Sequence, residues 1–213
     1  MLSTQISGSS SPYDFSDSKK VIANALEIDN ELAVWTTTCS SAYSYQTVNV
    51  EEKSEDLYFD YYHVYSSISI ATVWNDYRVI RILVNELLLQ HSRKIMQEEL
   101  ESIETKNLSS FVCLLVQNSA SITVQLAGDI FSSVPFCLGF SPKNSQAPKK
   151  KHFPKAITGC LLVWPLYIAT RTEFGPEMRE WAVSRLGRIE EDMGIKQAMV
   201  VADCVANNDD FPF

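Results

Sequence analysis

Between Pro12 and Gly128 the chain has neither glycine nor proline, a gap of 115 residues. Hairpin-rich proteins need Gly-bearing tight turns at short intervals. The gap therefore excludes most all-β architectures and suits long helices joined by polar loops. Only seven glycines and eight prolines occur among 213 residues, which excludes collagen-like and proline-rich chains. Cysteine is scarce and scattered: Cys39, Cys113, Cys137, Cys160 and Cys204 are nowhere closer than 23 positions. No C-x-x-C pair exists, so these spacings build no zinc cluster, zinc finger or thioredoxin-like site. The odd count, and the Ser-rich first twenty residues without an apolar centre, predict reduced thiols in an intracellular protein without a signal peptide.

Positive charge is also in deficit. There are 18 basic and 26 acidic residues, a net charge of -8 and a pI near 4.9. Such a chain is repelled by phosphate backbones, so specific DNA binding by this chain alone is not expected. Long apolar runs are missing too. Ala156 to Thr170 is too short for a bilayer and contains Pro165, and Leu108 to Phe140 is interrupted by Gln117, Asn118, Gln125 and Asp129. No membrane segment is expected. What remains is a chain that is 46% hydrophobic, enough for a substantial core in one domain.

Recognisable catalytic patterns are absent. His63, His91 and His152 have no partner at a metal-ligand spacing. There is no G-x-S-x-G elbow, no Walker loop and no G-x-G-x-x-G. Ser16 and Lys19 form a bare S-x-x-K of the kind that arises by chance. Glu98, Glu99, Glu101 and Glu104 read as a solvated helix face. The sequence predicts no cofactor, no metal and no enzymatic activity.

Apolar periodicity predicts an all-α fold: an irregular bundle of about six helices around one long central helix. Residues 1–15 are expected to be a flexible leader, 16–206 the helical domain and 207–213 an acidic tail. Val21, Ala25, Ile28, Leu32 and Trp35 give the first helix, from about Ser16 to Thr38, one apolar face. Cys39 to Asp56 reads as a long loop, with a short extended piece near Tyr45 to Val50. The second helix is expected from Tyr58 to Thr105. It is apolar nearly all round between Tyr62 and Leu89, hence central. A third is expected from Leu108 to Phe131, lined by Phe111, Leu115, Ser119, Ile122 and Leu126, and ended or kinked by Gly128 and Pro135. Ala156 to Thr170 should be kinked or divided at Pro165. Pro176 opens a helix that stops at Gly194, and a last helix covers Ile195 to about Ala206.

One constellation stands out within the apolar helix: Asn75, Arg78, Arg81, Asn85 and Glu86. Arginines on a central helix must find partners, because an unpaired buried charge is costly. The favoured reading is a buried network tying helices together, through Tyr61, Tyr62 or a loop carbonyl. The alternative is a ligand or partner site whose guanidinium groups receive an acidic group. Lys149, Lys150 and Lys151 form the one dense basic run, readable either as a solvated loop or as a nuclear-import signal.

Five segments occur in a telling order: Tyr61 to Tyr65 (YYHVY), Val73 to Glu86 (VWNDYRVIRILVNE), Ser133 to Gly139 (SVPFCLG), Leu162 to Tyr167 (LVWPLY) and Met193 to Ala198 (MGIKQA). With Leu26 to Trp35, they resemble the C-terminal region of fungal zinc-cluster (Zn₂Cys₆, Gal4-like) transcription factors over roughly residues 25–205. The resemblance implies an all-α regulatory domain in a nuclear protein, often one controlling secondary metabolism. The six-cysteine cluster that holds zinc and contacts DNA in that family has no counterpart in these residues. The expected role is thus transcription regulation through a protein partner, either a full-length transcription factor or a second copy of the chain. Competing readings are a small-molecule-binding or enzymatic helical domain built on the Arg78/Arg81/Asn85 stripe, and a nonfunctional truncated remnant.

Overall fold

The computed structural model describes residues 15–51, 54–101, 110–140, 155–172 and 175–210. Nearly all of the leader 1–15, the loop 141–154 with Lys149, Lys150 and Lys151, and the last three residues of the expected tail fall outside them. Among the described residues there are six α-helices: α1 (Phe15–Thr38), α2 (Ile68–Glu101), α3 (Ser110–Cys137), α4 (Lys155–Thr170), α5 (Pro176–Met193) and α6 (Lys196–Asn207). The fold is mainly all-α.

The central helix is α2, which packs against α1, α3 and α4, while α5 and α6 pair with each other and with α4. Ile82, Ile130, Phe131, Leu162, Leu166, Leu186 and Ile189 are almost completely buried in the main core. Each such side chain stabilises the fold by about 1.5–3 kcal/mol relative to exposure. A second, smaller core lies under α1, where Ile22 and Ala25 meet Val84, Leu88, Ile95, Val112 and Leu115.

Three expectations need correction. First, the segment from Tyr58 to Ser67 is not helical. Strands β1 (Tyr45–Asn49) and β2 (Tyr61–Tyr65) form an antiparallel pair with Tyr45 opposite Tyr65 and Thr47 opposite His63. Aromatic and β-branched residues fit a pleated, half-buried surface, and YYHVY is made of little else. The missing glycine excluded only a tight turn; here the strands are joined by residues 50–60, with Val50 N–H donating to the Asp60 carbonyl at 2.7 Å. Second, α3 runs through both Gly128 and Pro135. It stops at Gly139, which takes the left-handed conformation (φ 79°). Gly139 N–H then donates to Phe136 O and Phe140 N–H to Pro135 O at 2.8 Å, the paired bonds of a Schellman cap. Third, the buried face of α1 holds at Ala25 and, packed against the core, at Leu32 and Trp35, but departs from expectation at Val21 and Ile28. Ser18, Ile22 and Ala25 are buried, whereas Ile28 is 46% exposed and Val21 is half-buried.

The remaining boundaries follow their local chemistry. α4 continues through Pro165 as one element; the carbonyl that loses its donor there belongs to Leu161, on the exposed side. Pro176 starts α5, and Gly194 in the left-handed conformation ends it, as the sequence implies. Asn208 does the same for α6.

Candidate functional site

The five polar residues singled out on α2 fall into three groups in space. Asn75 and Arg78 face the strand pair and α3. Arg81 and Asn85 face α1. Glu86 faces the end of α4.

Arg78 is 1% exposed. One of its terminal nitrogens donates to Tyr65 Oη at 2.7 Å and to Asn75 Oδ1 at 3.0 Å; the other lies 3.4 Å from His63 Nδ1. Tyr65 Oη is also 3.4 Å from that nitrogen. Two donors converge on Nδ1, so it is the acceptor and the imidazole is neutral. Asn75 continues the network into α3, donating to Ser133 Oγ at 3.0 Å. The rings of Tyr45, Trp74 and Tyr65 surround the guanidinium, with centroids 5.3, 5.6 and 5.9 Å from its carbon, distances at which cation–π attraction operates.

All the hydrogen-bond acceptors described around Arg78 are neutral. The carboxylate that reaches it electrostatically is Asp129 on α3. Burial disfavours the charge on Arg78, but Tyr65, Asp129 and Tyr45 together outweigh it, so the group remains a guanidinium. Burial and then the Arg78 charge lower the His63 pKa to about 3. Burial pushes the Cys137 thiol up to about 12 despite the opposing pull of Arg78, and raises the Tyr65 phenol as well. At neutral pH this layer thus offers a neutral imidazole, an un-ionised thiol and an un-ionised phenol. Its geometry ties β1, β2, α2 and α3 together.

Arg81 is arranged differently. Its Nε and one terminal nitrogen donate to the two carboxylate oxygens of Asp29 on α1 at 2.8 and 3.1 Å, and the other terminal nitrogen donates to Tyr77 Oη at 2.9 Å. This is the fork-to-carboxylate geometry that favours arginine over lysine. Asn85 donates to the same Asp29 oxygen at 2.7 Å and to the Arg81 carbonyl at 2.9 Å. Its buried Oδ1 has no partner among the described residues. Glu86 is 3.4 Å from Arg171 at the end of α4; burial raises its carboxyl pKa and Arg171 opposes the rise.

The sequence singled out the arginines but not their partners. Tyr61, Tyr62 or a loop carbonyl were the expected partners; Tyr65, Asn75 and His63 take those places for Arg78, and Asp29 and Tyr77 for Arg81. Asp29 lies more than fifty positions from Arg81, and no local pattern marks it. The same holds for Asp56, which receives Arg185 at 2.9 Å and also Arg188. With the Trp181 indole on the Glu55 carbonyl at 3.2 Å, these bonds pin the segment before β2 to α5.

Comparison with known proteins adds one likeness. The chain is similar to a fungal protein, transcription factor dbaG of Emericella nidulans, at 29% identity over 144 residues. The match takes in 65% of this chain and 31% of that protein, so the chain spans about a third of the length of the curated relative it matches. No family model matches the chain. No solved structure matches it either.

Proposed function

We propose that this chain is a transcription-regulatory helical domain of the fungal zinc-cluster type, acting through a protein partner and not through its own contact with DNA. The observation that carries this reading is the likeness to a fungal transcription factor. It is joined by the mainly α-helical fold and by the five ordered segments described above. The net charge of -8 and the wide cysteine spacing support leaving DNA contact to another segment or polypeptide. A nuclear location follows from the same likeness, with Lys149, Lys150 and Lys151 as the import run. Target genes in secondary metabolism are part of the proposal through the family resemblance alone.

The Asn75, Arg78, Arg81 and Asn85 layers serve in this proposal as the internal frame of the domain, holding the faces that meet a partner. The test is a tethering assay. Fused to a heterologous DNA-binding domain, the chain is expected to change expression of a reporter bearing that domain's sites, and a green fluorescent fusion is expected in the nucleus. No change in reporter output, together with turnover of a small molecule by the purified chain, would overturn the reading.

A further inference from the structure

Helices α1 and α2 run antiparallel. Ser18 Oγ lies 3.2 Å from His91 Nδ1, Asp29 meets Arg81, and Trp35 packs on Trp74 and Tyr77 with ring centroids 5.3 Å apart. The contact ridge is Ser18, Ile22, Ala25 and Asp29 on α1, and Tyr77, Arg81 and Leu88 on α2. On an α-helix, the residue before each ridge position is turned about 100° away from it. In an antiparallel pair those preceding positions fall on the same side of both helices. On α1 they include Val21 and Ile28. On α2 they include Ile80 and Leu87, and Val73 continues the row seven residues earlier.

These residues are open. Val73 is 36%, Ile80 48% and Leu87 44% exposed, matching the exposure of Ile28, and Val21 is half-buried. Five apolar side chains thus line a shallow groove along the α1–α2 seam. Its α2 wall has the seven-residue recurrence of a helix-pairing surface. Glu31 stands on the α1 rim, three residues beyond Ile28. Asp76 stands on the α2 rim between Val73 and Ile80. Both are exposed, and among the described residues neither makes an ion pair. Asp17 adds a third rim carboxylate, 3.9 Å from Lys20 with both side chains largely exposed.

We infer that this groove is a docking surface for an amphipathic α-helix of a partner protein, apolar along one stripe and basic on the flanks that meet Glu31 and Asp76. This rests on the partner-dependent role proposed above and names its surface. A single helix fits the width, since packed helices lie about 8–10 Å apart and one ridge fills one groove. A second copy of the chain fits poorly. It would bring acidic rims together, and a strip one side chain wide on each helix falls short of the roughly 800 Å² per partner that stable interfaces bury.

The experiment uses the full chain and two synthetic helical peptides of about three heptads, with Leu at the seam and either Lys or Glu on the flanks. The Lys-flanked peptide is expected to bind, with affinity falling as salt is added. Ile28→Asp and Ile80→Asp should each weaken it by about tenfold or more, because a carboxylate would be desolvated in the seam. Glu31→Lys with Asp76→Lys should reverse the preference between the two peptides. Met199→Asp, at another exposed apolar position on α6, should leave binding unchanged. Equal binding of both peptides, no loss in Ile28→Asp and Ile80→Asp, or self-association of the chain that Ile80→Asp abolishes would each overturn the inference. In the tethered reporter, output that survives Ile80→Asp removes the groove from the mechanism while leaving the regulatory reading standing.

Discussion

Arg78 and Arg81 stand three residues apart on one helix and live in different electrostatic worlds. Arg78 is sealed between the strand pair and α3, with neutral acceptors, three aromatic rings and a carboxylate that acts without a hydrogen bond. Arg81 shares its charge directly with Asp29, and the side chains of the pair are 17% and 15% exposed. Arg78 therefore depends on the whole core staying assembled around it. Arg81 depends on one helix, α1, staying docked. The contrast separates a part of the molecule that is held from many directions from a part held along one seam, the seam whose outer side carries the proposed docking groove.

The sharpest way to break this contrast is to delete each guanidinium. Arg78→Ala should cost about 3–4 kcal/mol, because it removes the donor that the buried Tyr65, Asn75 and His63 share and opens a void among the rings. Urea unfolding should show the loss as a lower midpoint with one cooperative transition. Arg81→Ala should cost less, about 2–3 kcal/mol, since partly exposed groups recover water. Its effect should concentrate in α1, where amide exchange should accelerate while α3 to α6 stay protected. An Asp29/Arg81 double-mutant cycle should return a coupling of about 1–3 kcal/mol. Equal losses and equal exchange patterns for the two arginines would show that α1 is no more separable than the rest of the core.

How far the sequence carried this picture depends on how local each signal is. The helices were legible because apolar periodicity and caps act within a few residues: Pro176 and Gly194 bracket α5 as expected. Of the strand pair, β1 was legible as the extended piece near Tyr45 to Val50; β2 was not, because Tyr61 to Tyr65 continues the apolar character of α2 and the segment joining the strands has neither glycine nor proline. Gly128 and Pro135 do not end α3, for a related reason. Tertiary packing of α3 against α2, α4 and β2 outweighs the local penalty of both residues. The Asn75 to Glu86 constellation was visible as polar positions on an apolar helix. Its partners were not, since Asp29, His63 and Ser133 are brought in by topology alone.

Acid offers a second lever on the sealed layer. Free His63 would titrate near 6.5, whereas burial and Arg78 hold it near 3 in the fold. Between those values the unfolded chain binds a proton that the folded chain refuses, so stability falls as pH drops from 6.5 towards 3. From pH 7 to pH 5 this single group should cost about 2 kcal/mol. Asp129, whose carboxyl pKa is raised by burial against the pull of Arg78, acts with the opposite sign above its ordinary value. The clean readout is therefore a difference. His63→Gln keeps an acceptor for Arg78 but does not titrate, so its loss on acidification should be smaller than the wild type's by that amount. Parallel pH profiles for the two proteins would mean that His63 is open to protons.

The smallest expected effects come from single hydroxyl groups, and they sharpen the contrast most finely. Tyr65→Phe and Tyr77→Phe each remove one phenol oxygen that accepts from an arginine, at 2.7 Å for Arg78 and 2.9 Å for Arg81. The chemistry deleted is the same; what differs is whether the abandoned donor can find another partner. In the sealed layer the Arg78 nitrogen keeps Asn75 but has no water to replace Tyr65, and His63 also loses a donor, so Tyr65→Phe should cost about 1–3 kcal/mol. At the α1 seam the Arg81 fork keeps both bonds to Asp29. The nitrogen released by Tyr77 lies in a partly exposed side chain that water can reach, so Tyr77→Phe should cost about 0.5–1 kcal/mol. Thermal melts of the two variants should therefore separate, with Tyr65→Phe the lower. If Tyr77→Phe proves as damaging as Tyr65→Phe, the seam is as dry as the core, and the difference between the two arginines lies in their partners rather than in their access to water.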